Sequence, residues 1–117
     1  MSRFVDAAGV DDLADGAMKS VAAEGNDLLL ARAGSQYYAS DDLCPHMGGQ
    51  LSHGTLDGTI VTCPRHGSQF DIANGRVLRW TDWTGIKLAL AKVFKSPRPV
   101  KTYAVQSEGS RILIDLE

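Results

Sequence analysis

Two cysteines, each followed closely by a histidine, are the residues of this chain best suited to chemistry. The first pair is Cys44 and His46, the second is Cys63 and His66, and sixteen residues separate the two pairs. Thiolate and neutral imidazole are the side chains that bind iron, copper and zinc most readily. The chain has 2 cysteines in all, so these two must supply every thiolate. The four residues therefore predict a metal centre with four protein ligands.

The spacing of the four residues bears on which metal they bind. Zinc modules usually pair cysteine with cysteine and histidine with histidine, so that both ligands of a pair reach one ion. Here each pair mixes the two types, and only one residue separates Cys44 from His46. Such spacing favours two loops that each send one ligand to each of two irons, as in a 2Fe–2S cluster with histidines on one iron. A structural zinc site in an interaction module stays open as the alternative.

The segment resembles the Rieske family pattern, which has a C-x-H loop and a C-x-x-H loop about sixteen residues apart. The resemblance extends to the stretches 51–54 (LSHG), 67–71 (GSQFD) and 109–114 (GSRILI). It implies one Rieske-type 2Fe–2S cluster in an all-β fold of stacked antiparallel sheets. It further implies a small cluster-binding lobe on a basal domain, and a role in carrying single electrons.

By this resemblance, Cys44 and Cys63 bind one iron of the cluster, and His46 and His66 bind the other. Two ferric ions, two sulfides, two thiolates and two neutral imidazoles sum to zero charge, whereas four thiolates would give a negative cluster. An electron is therefore added more easily, and such centres have reduction potentials of about −150 to +300 mV.

Two further residues are expected to tune that potential. Ser68 stands where high-potential family members have a serine that donates a hydrogen bond to sulfur, whereas Phe70 replaces a tyrosine that donates another. We therefore expect a reduction potential below that of the membrane-complex proteins and above that of ferredoxins that lack both hydroxyls.

Gly49 and Arg65 stand where proteins of the respiratory and photosynthetic membrane complexes carry a disulfide between the two loops. Because no such bridge can form, the chain resembles the small soluble ferredoxins and the related Rieske domains of oxygenases and nitrite reductases, which favours a reducing, cytoplasmic location.

The rest of the sequence is typical of a β protein, and 117 residues suit one domain. We expect a cluster-binding lobe over about 42–75 and a basal part over 1–41 and 76–117. A turn or single helical turn is expected over 10–16. Apolar residues at helical spacing predict a short amphipathic helix over 85–95, and a strand in which Ile86, Leu88 and Leu90 share one face is the alternative. Strands are predicted over 3–8, 17–23, 27–33, 36–40, 55–56, 59–62, 69–72, 76–78, 101–107 and 111–116.

Composition and charge limit the remaining functions. The chain is 44% hydrophobic and 22% charged, and it has no apolar run of membrane-spanning length. Residues 1–42 carry a net charge of −5 and residues 76–101 carry +6. The basic stretch 80–98 could therefore dock an acidic redox partner or a membrane surface, or it could balance the acidic strands. A pI of about 5.9 gives little support to nucleic-acid binding.

These observations predict a cytoplasmic one-electron carrier without a substrate of its own, which connects a reductase to an oxygenase or another terminal enzyme. A small subunit of a larger complex, such as a nitrite reductase, is the alternative. The chain is too short to contain the mononuclear iron domain of an oxygenase α-subunit.

Overall fold

The structure, a computed structural model, describes residues 2–44, 49–64, 67–79 and 99–117. Regular structure in these ranges consists of β-strands and two short 3-10 helices, Val10–Asp12 and Leu51–His53, which confirms the all-β prediction. The helix predicted over 85–95 lies outside the described residues. The strands are β1 (Phe4–Gly9), β2 (Met18–Ala23), β3 (Asn26–Ala33), β4 (Gln36–Asp41), β5 (Thr55–Asp57), β6 (Ile60–Thr62), β7 (Gln69–Asp71), β8 (Arg76–Arg79), β9 (Thr102–Tyr103), β10 (Val105–Glu108) and β11 (Arg111–Asp115).

The strands described form three antiparallel sheets. The outer sheet has the order β1-β11-β10, the middle sheet has the order β2-β3-β4-β9, and the third sheet has the order β5-β6-β7-β8. Short hairpins join most neighbours, because turn glycines at positive φ, such as Gly25 (φ 83°) and Gly109 (φ 61°), reverse the chain without a steric penalty. The stacked antiparallel sheets expected from the resemblance are thus confirmed.

Strand β3 of the middle sheet packs into an apolar cluster on each of its two faces. Successive side chains of a strand point to opposite faces, and Leu28, Leu29 and Leu30 are all fully buried. Leu29 belongs to one apolar cluster together with both cysteines, whereas Leu28 and Leu30 belong to a second cluster with Ile112 of the outer sheet. The middle sheet is therefore buried on both faces, and one of its faces carries the core around the cysteines.

One strand prediction was wrong in its boundaries. Residues 101–107, predicted as a single strand, form β9 and β10, which belong to two different sheets. The break falls at Ala104, whose carbonyl accepts the backbone N–H of Asp115 at 2.9 Å while β9 pairs with β4. The chain passes from the middle sheet to the outer sheet at this residue. The β propensity of residues 101–107 does not predict this change.

The carboxylate of Asp115 ties the outer sheet to the neighbouring backbone. The backbone N–H of Arg3 donates to it at 2.8 Å, and the N–H of Glu117 donates to the same oxygen at 3.0 Å. These hydrogen bonds hold the pKa of Asp115 below its ordinary value, since they stabilise the charged form.

We expect this interaction to give stability that acid removes. The folded state binds fewer protons than the unfolded state, so the contribution is present above the ordinary carboxyl pKa of 3.8 and disappears as the pH falls through the lower native value. The unfolding free energy of the wild type should therefore exceed that of Asp115→Asn at neutral pH, and the gap should narrow below about pH 4. Denaturant titrations of both proteins at neutral pH and below about pH 4 test this prediction. A difference in unfolding free energy that does not depend on pH would contradict it.

Among the described residues, no helix has the length and apolar character that crossing a bilayer requires.

Candidate metal centre

The two cysteines lie in one core, each just after a strand. Cys44 follows β4 and the short bridge at Leu43, and Cys63 follows β6 directly. Both are buried thiols, 3% and 2% exposed, and both belong to the apolar cluster that includes Leu29. The structure thus brings the two predicted thiolate ligands into a common core. His46 and His66 lie outside the described residues, so their role as ligands stays a prediction.

The two loops that begin at the cysteines close in the same way. The backbone N–H of Cys44 donates to the carbonyl of Gly49 at 2.7 Å, and that of Cys63 donates to the carbonyl of Ser68 at 2.7 Å. In both loops the acceptor is five residues after the cysteine, and a histidine lies between them in sequence. This repeated closure supports the interpretation of two matched ligand loops.

A buried carboxylate lies at the base of the first loop. Asp42 is 1% exposed, and its Oδ1 accepts the backbone N–H of Ser52 at 2.8 Å. Its Oδ2 accepts the Ser52 hydroxyl at 2.9 Å and the side-chain amide of Gln50 at 3.3 Å, while its main-chain carbonyl accepts the N–H of Leu51 at 2.7 Å. This residue was not among the predicted site residues, because its only signal in the sequence is an acid two positions before a ligand cysteine.

The neighbouring Asp41 connects β4 to β9. The hydroxyl of Tyr103 donates to Oδ1 of Asp41 at 2.5 Å. Burial, together with this hydrogen bond and the charge of Asp41, raises the pKa of Tyr103 to about 12. The phenol therefore stays protonated throughout the physiological range and keeps the end of β4 in place just before the first loop.

The second loop is held by an arginine from β8. Gly67, at φ 72°, donates its N–H to the carbonyl of Cys63 at 3.2 Å, and its own carbonyl accepts Nε of Arg79 at 2.9 Å. The two residues predicted to tune the potential, Ser68 and Phe70, follow directly, and both are fully buried. Phe70 belongs to the same apolar cluster as the cysteines, whereas Ser68 contributes the carbonyl that closes the loop.

A close approach of two backbones sets the separation of the loops. Gly54 ends the 3-10 helix that follows the first loop, and it lies against the chain just before Cys63. A Cβ at this position would lie 3.2 Å from Cδ of Pro64 and far inside van der Waals contact with the carbonyl oxygen of Thr62. Only glycine fits there. Gly54 belongs to the stretch 51–54 that resembles the family, but its role could not be predicted from the sequence.

The donor chemistry of the core fits an iron–sulfur cluster. A thiolate in an apolar core is unfavourable unless a cation compensates its charge, and a bound metal provides that compensation. Cys44 and Cys63 are both buried among apolar side chains, which is what two metal-bound thiolates require. Within the part of the chain that the structure describes, no group of three or more metal-binding side chains assembles.

Comparison with known proteins identifies the type of centre. A family model described as "Rieske [2Fe-2S] domain" matches residues 3–103. The ferredoxin component of the naphthalene 1,2-dioxygenase system of Pseudomonas aeruginosa is 33% identical over 114 residues, which are 97% of this chain and 96% of that protein. The Sphingomonas yanoikuyae B1 ferredoxin has a TM-score of 0.77 and 28% identity, with 98% of this chain and 100% of that chain covered.

A third similarity concerns an assembled system. A chain in the complex of reduced oxygenase and oxidized ferredoxin in carbazole 1,9a-dioxygenase has a TM-score of 0.75 and 25% identity, with 96% of this chain and 92% of that chain covered. Since the family match spans most of the sequence, it favours the iron–sulfur interpretation over zinc. The chain belongs to the Rieske [2Fe-2S] domain family, and its cofactor is a single Rieske-type 2Fe–2S cluster.

Proposed function

We propose that this protein is a cytoplasmic one-electron carrier, which accepts electrons from a reductase and passes them to a terminal oxygenase. The observation that carries the proposal is the pair of buried thiols at the start of two loops closed by identical hydrogen bonds. The ferredoxin component from Pseudomonas aeruginosa, similar over 97% of this chain, supports a carrier rather than a subunit confined to a nitrite reductase complex. The protein itself would have no substrate.

In this proposal Cys44 and Cys63 bind one iron, and His46 and His66 bind the other. When bound, the cluster supplies a site that takes up and releases one electron near the potentials typical of its type. The protein's own residues orient the thiolates through the two loop closures and exclude water from them through the apolar cluster around Phe70. We also propose that residues of about 42–75 form a cluster-binding lobe, and that 1–41 and 76–117 form the basal part.

The ligand assignment predicts the behaviour of the three histidines. His46→Ala and His66→Ala should each lose the cluster, because an iron without one of its protein ligands is exposed to exchange and loss. His53→Ala is the matched control, since His53 is exposed and lies outside the ligand pattern. Iron and sulfide analysis of anaerobically purified proteins, with EPR after dithionite reduction, measures the result. Two irons and two sulfides in the wild type and in His53→Ala are expected, and a colourless zinc protein would refute the proposal.

Ser68 and Phe70 predict the direction in which the potential can be tuned. A hydrogen bond to a sulfur of the centre stabilises the reduced, more negative form, so Ser68→Ala should lower the potential. A net hydrogen-bond energy of about 1 kcal/mol corresponds to roughly 40 mV for one electron. Phe70→Tyr should raise the potential if its added hydroxyl reaches the same sulfurs.

A second buried serine provides the control for this experiment. Ser40 is also fully buried, but its hydroxyl donates to the carbonyl of Asp41 at 3.0 Å. Protein-film voltammetry should therefore give Ser40→Ala a potential close to that of the wild type. If Ser68→Ala moves the potential no more than Ser40→Ala does, the hydrogen bond assigned to Ser68 is wrong.

A further inference from the structure

We propose that Asp42 is the positioning residue of the first ligand loop, and that its buried negative charge lowers the reduction potential of the centre. The inference rests on the proposed function, because it concerns the loop that begins at Cys44. It assigns to the chain a second means of setting the potential, separate from the hydrogen bond of Ser68.

Asp42 connects the segment that enters the first ligand loop with the segment that leaves it. On the incoming side, Asp42 is two residues before Cys44. On the outgoing side, its carboxylate binds Ser52 through the backbone N–H and the hydroxyl, at 2.8 and 2.9 Å, and Gln50 through its amide at 3.3 Å. The backbone ladder continues toward the cysteine through the Leu43–Gln50 bridge and the Cys44–Gly49 hydrogen bond. One side chain therefore joins the two strands of chain from which the loop emerges.

The side chain of Asp42 is surrounded by hydrogen-bond donors. Among the described residues, the backbone N–H and hydroxyl of Ser52 and the side-chain amide of Gln50 donate to this carboxylate, which can act only as an acceptor. The residue is 1% exposed, so water screens its charge poorly. Adding an electron to a centre near a poorly screened negative charge is less favourable, and the potential falls.

A neighbouring aspartate shows why burial decides the effect. Asp27 lies beside Asp42, since its main-chain carbonyl accepts the N–H of Asp42 at 3.4 Å, yet Asp27 is exposed. Charges at the surface interact weakly because water and salt screen them. The two aspartates thus lie next to each other and differ in their contact with water.

This pair provides the test. Asp42→Asn and Asp27→Asn each remove one negative charge, and the asparagine at position 42 can still accept the N–H of Ser52. We expect the midpoint potential of Asp42→Asn to shift to a more positive value, by more than that of Asp27→Asn, in protein-film voltammetry on protein with full iron content. A residue that only held the loop would lower the iron content and leave the potential of the loaded fraction unchanged.

Ser52→Ala provides a second test of the inference, which applies even if Asp42→Asn does not incorporate the cluster. It retains the carboxylate but removes the hydroxyl donor at 2.9 Å, so the charge is less neutralised and the potential should shift to a more negative value. Shifts in opposite directions for the two variants support the inference. A shift of Asp42→Asn no larger than that of Asp27→Asn overturns it, as does an unshifted Ser52→Ala when Asp42→Asn carries no iron. A wild type without the Rieske EPR signal refutes the proposed function instead.

Discussion

Replacing Gly54 by alanine is expected to abolish cluster incorporation. A methyl group at this position would collide with the carbonyl oxygen of Thr62, which is the residue just before Cys63. Backbone cannot rotate away as a flexible side chain can, so the strand that delivers Cys63 must move. Overpacking of this kind lowers the free energy of unfolding by about 1–3 kcal/mol or more. The iron content of the variant, and its thermal unfolding, measure both effects.

Gly9→Ala is the matched control for this substitution. Gly9 has an ordinary negative φ of −89°, and an added Cβ would lie 3.3 Å from the guanidinium of Arg111, which can move aside. The control should therefore keep the iron content and stability of the wild type. Normal iron content in Gly54→Ala would show that the two ligand loops do not depend on this close approach.

The second large effect is expected from Leu29→Ala. Leu29 is fully buried in the apolar cluster that contains both cysteines, so truncation leaves a cavity next to the metal centre. Leucine-to-alanine changes in cores lower the free energy of unfolding by about 2–5 kcal/mol. We expect Leu29→Ala to show this loss together with an altered EPR spectrum and faster loss of iron.

Leu30→Ala separates general instability from an effect on the centre. Leu30 is the next residue of β3, is equally buried, and packs into the opposite cluster with Ile112 of the outer sheet. Leu30→Ala should lower the free energy of unfolding by a similar amount, as measured by denaturant titration. Its EPR spectrum should be that of the wild type. Equal spectroscopic changes in both variants would contradict the separation of the two cores by the middle sheet.

The sequence predicted the local features of this protein well. The hairpins formed near their expected positions because turn residues such as Gly25 and Gly109 act on their immediate neighbours. The two cysteines were recognised because their spacing to the following histidines is itself local. His46 and His66 lie outside the described residues, so the second half of the ligand set stays a prediction.

The features that sequence reasoning missed depend on contacts between distant segments. Gly54 is indispensable because of the carbonyl of Thr62, and Asp42 matters because of donors eight to ten residues later. The strand predicted over 101–107 divides because β4 and β11 each pair with part of it. No local pattern of propensity or hydrophobicity encodes such partners.

The closure of both ligand loops has a consequence for the speed of electron transfer. The hydrogen bonds from Cys44 to Gly49 and from Cys63 to Ser68 lie within the main chain and do not require a metal. The described ends of both loops are therefore tied together by the main chain, which limits their movement when the charge of the centre changes. A framework that moves little between oxidation states has a small reorganisation energy, which suits a protein that must exchange electrons during brief encounters.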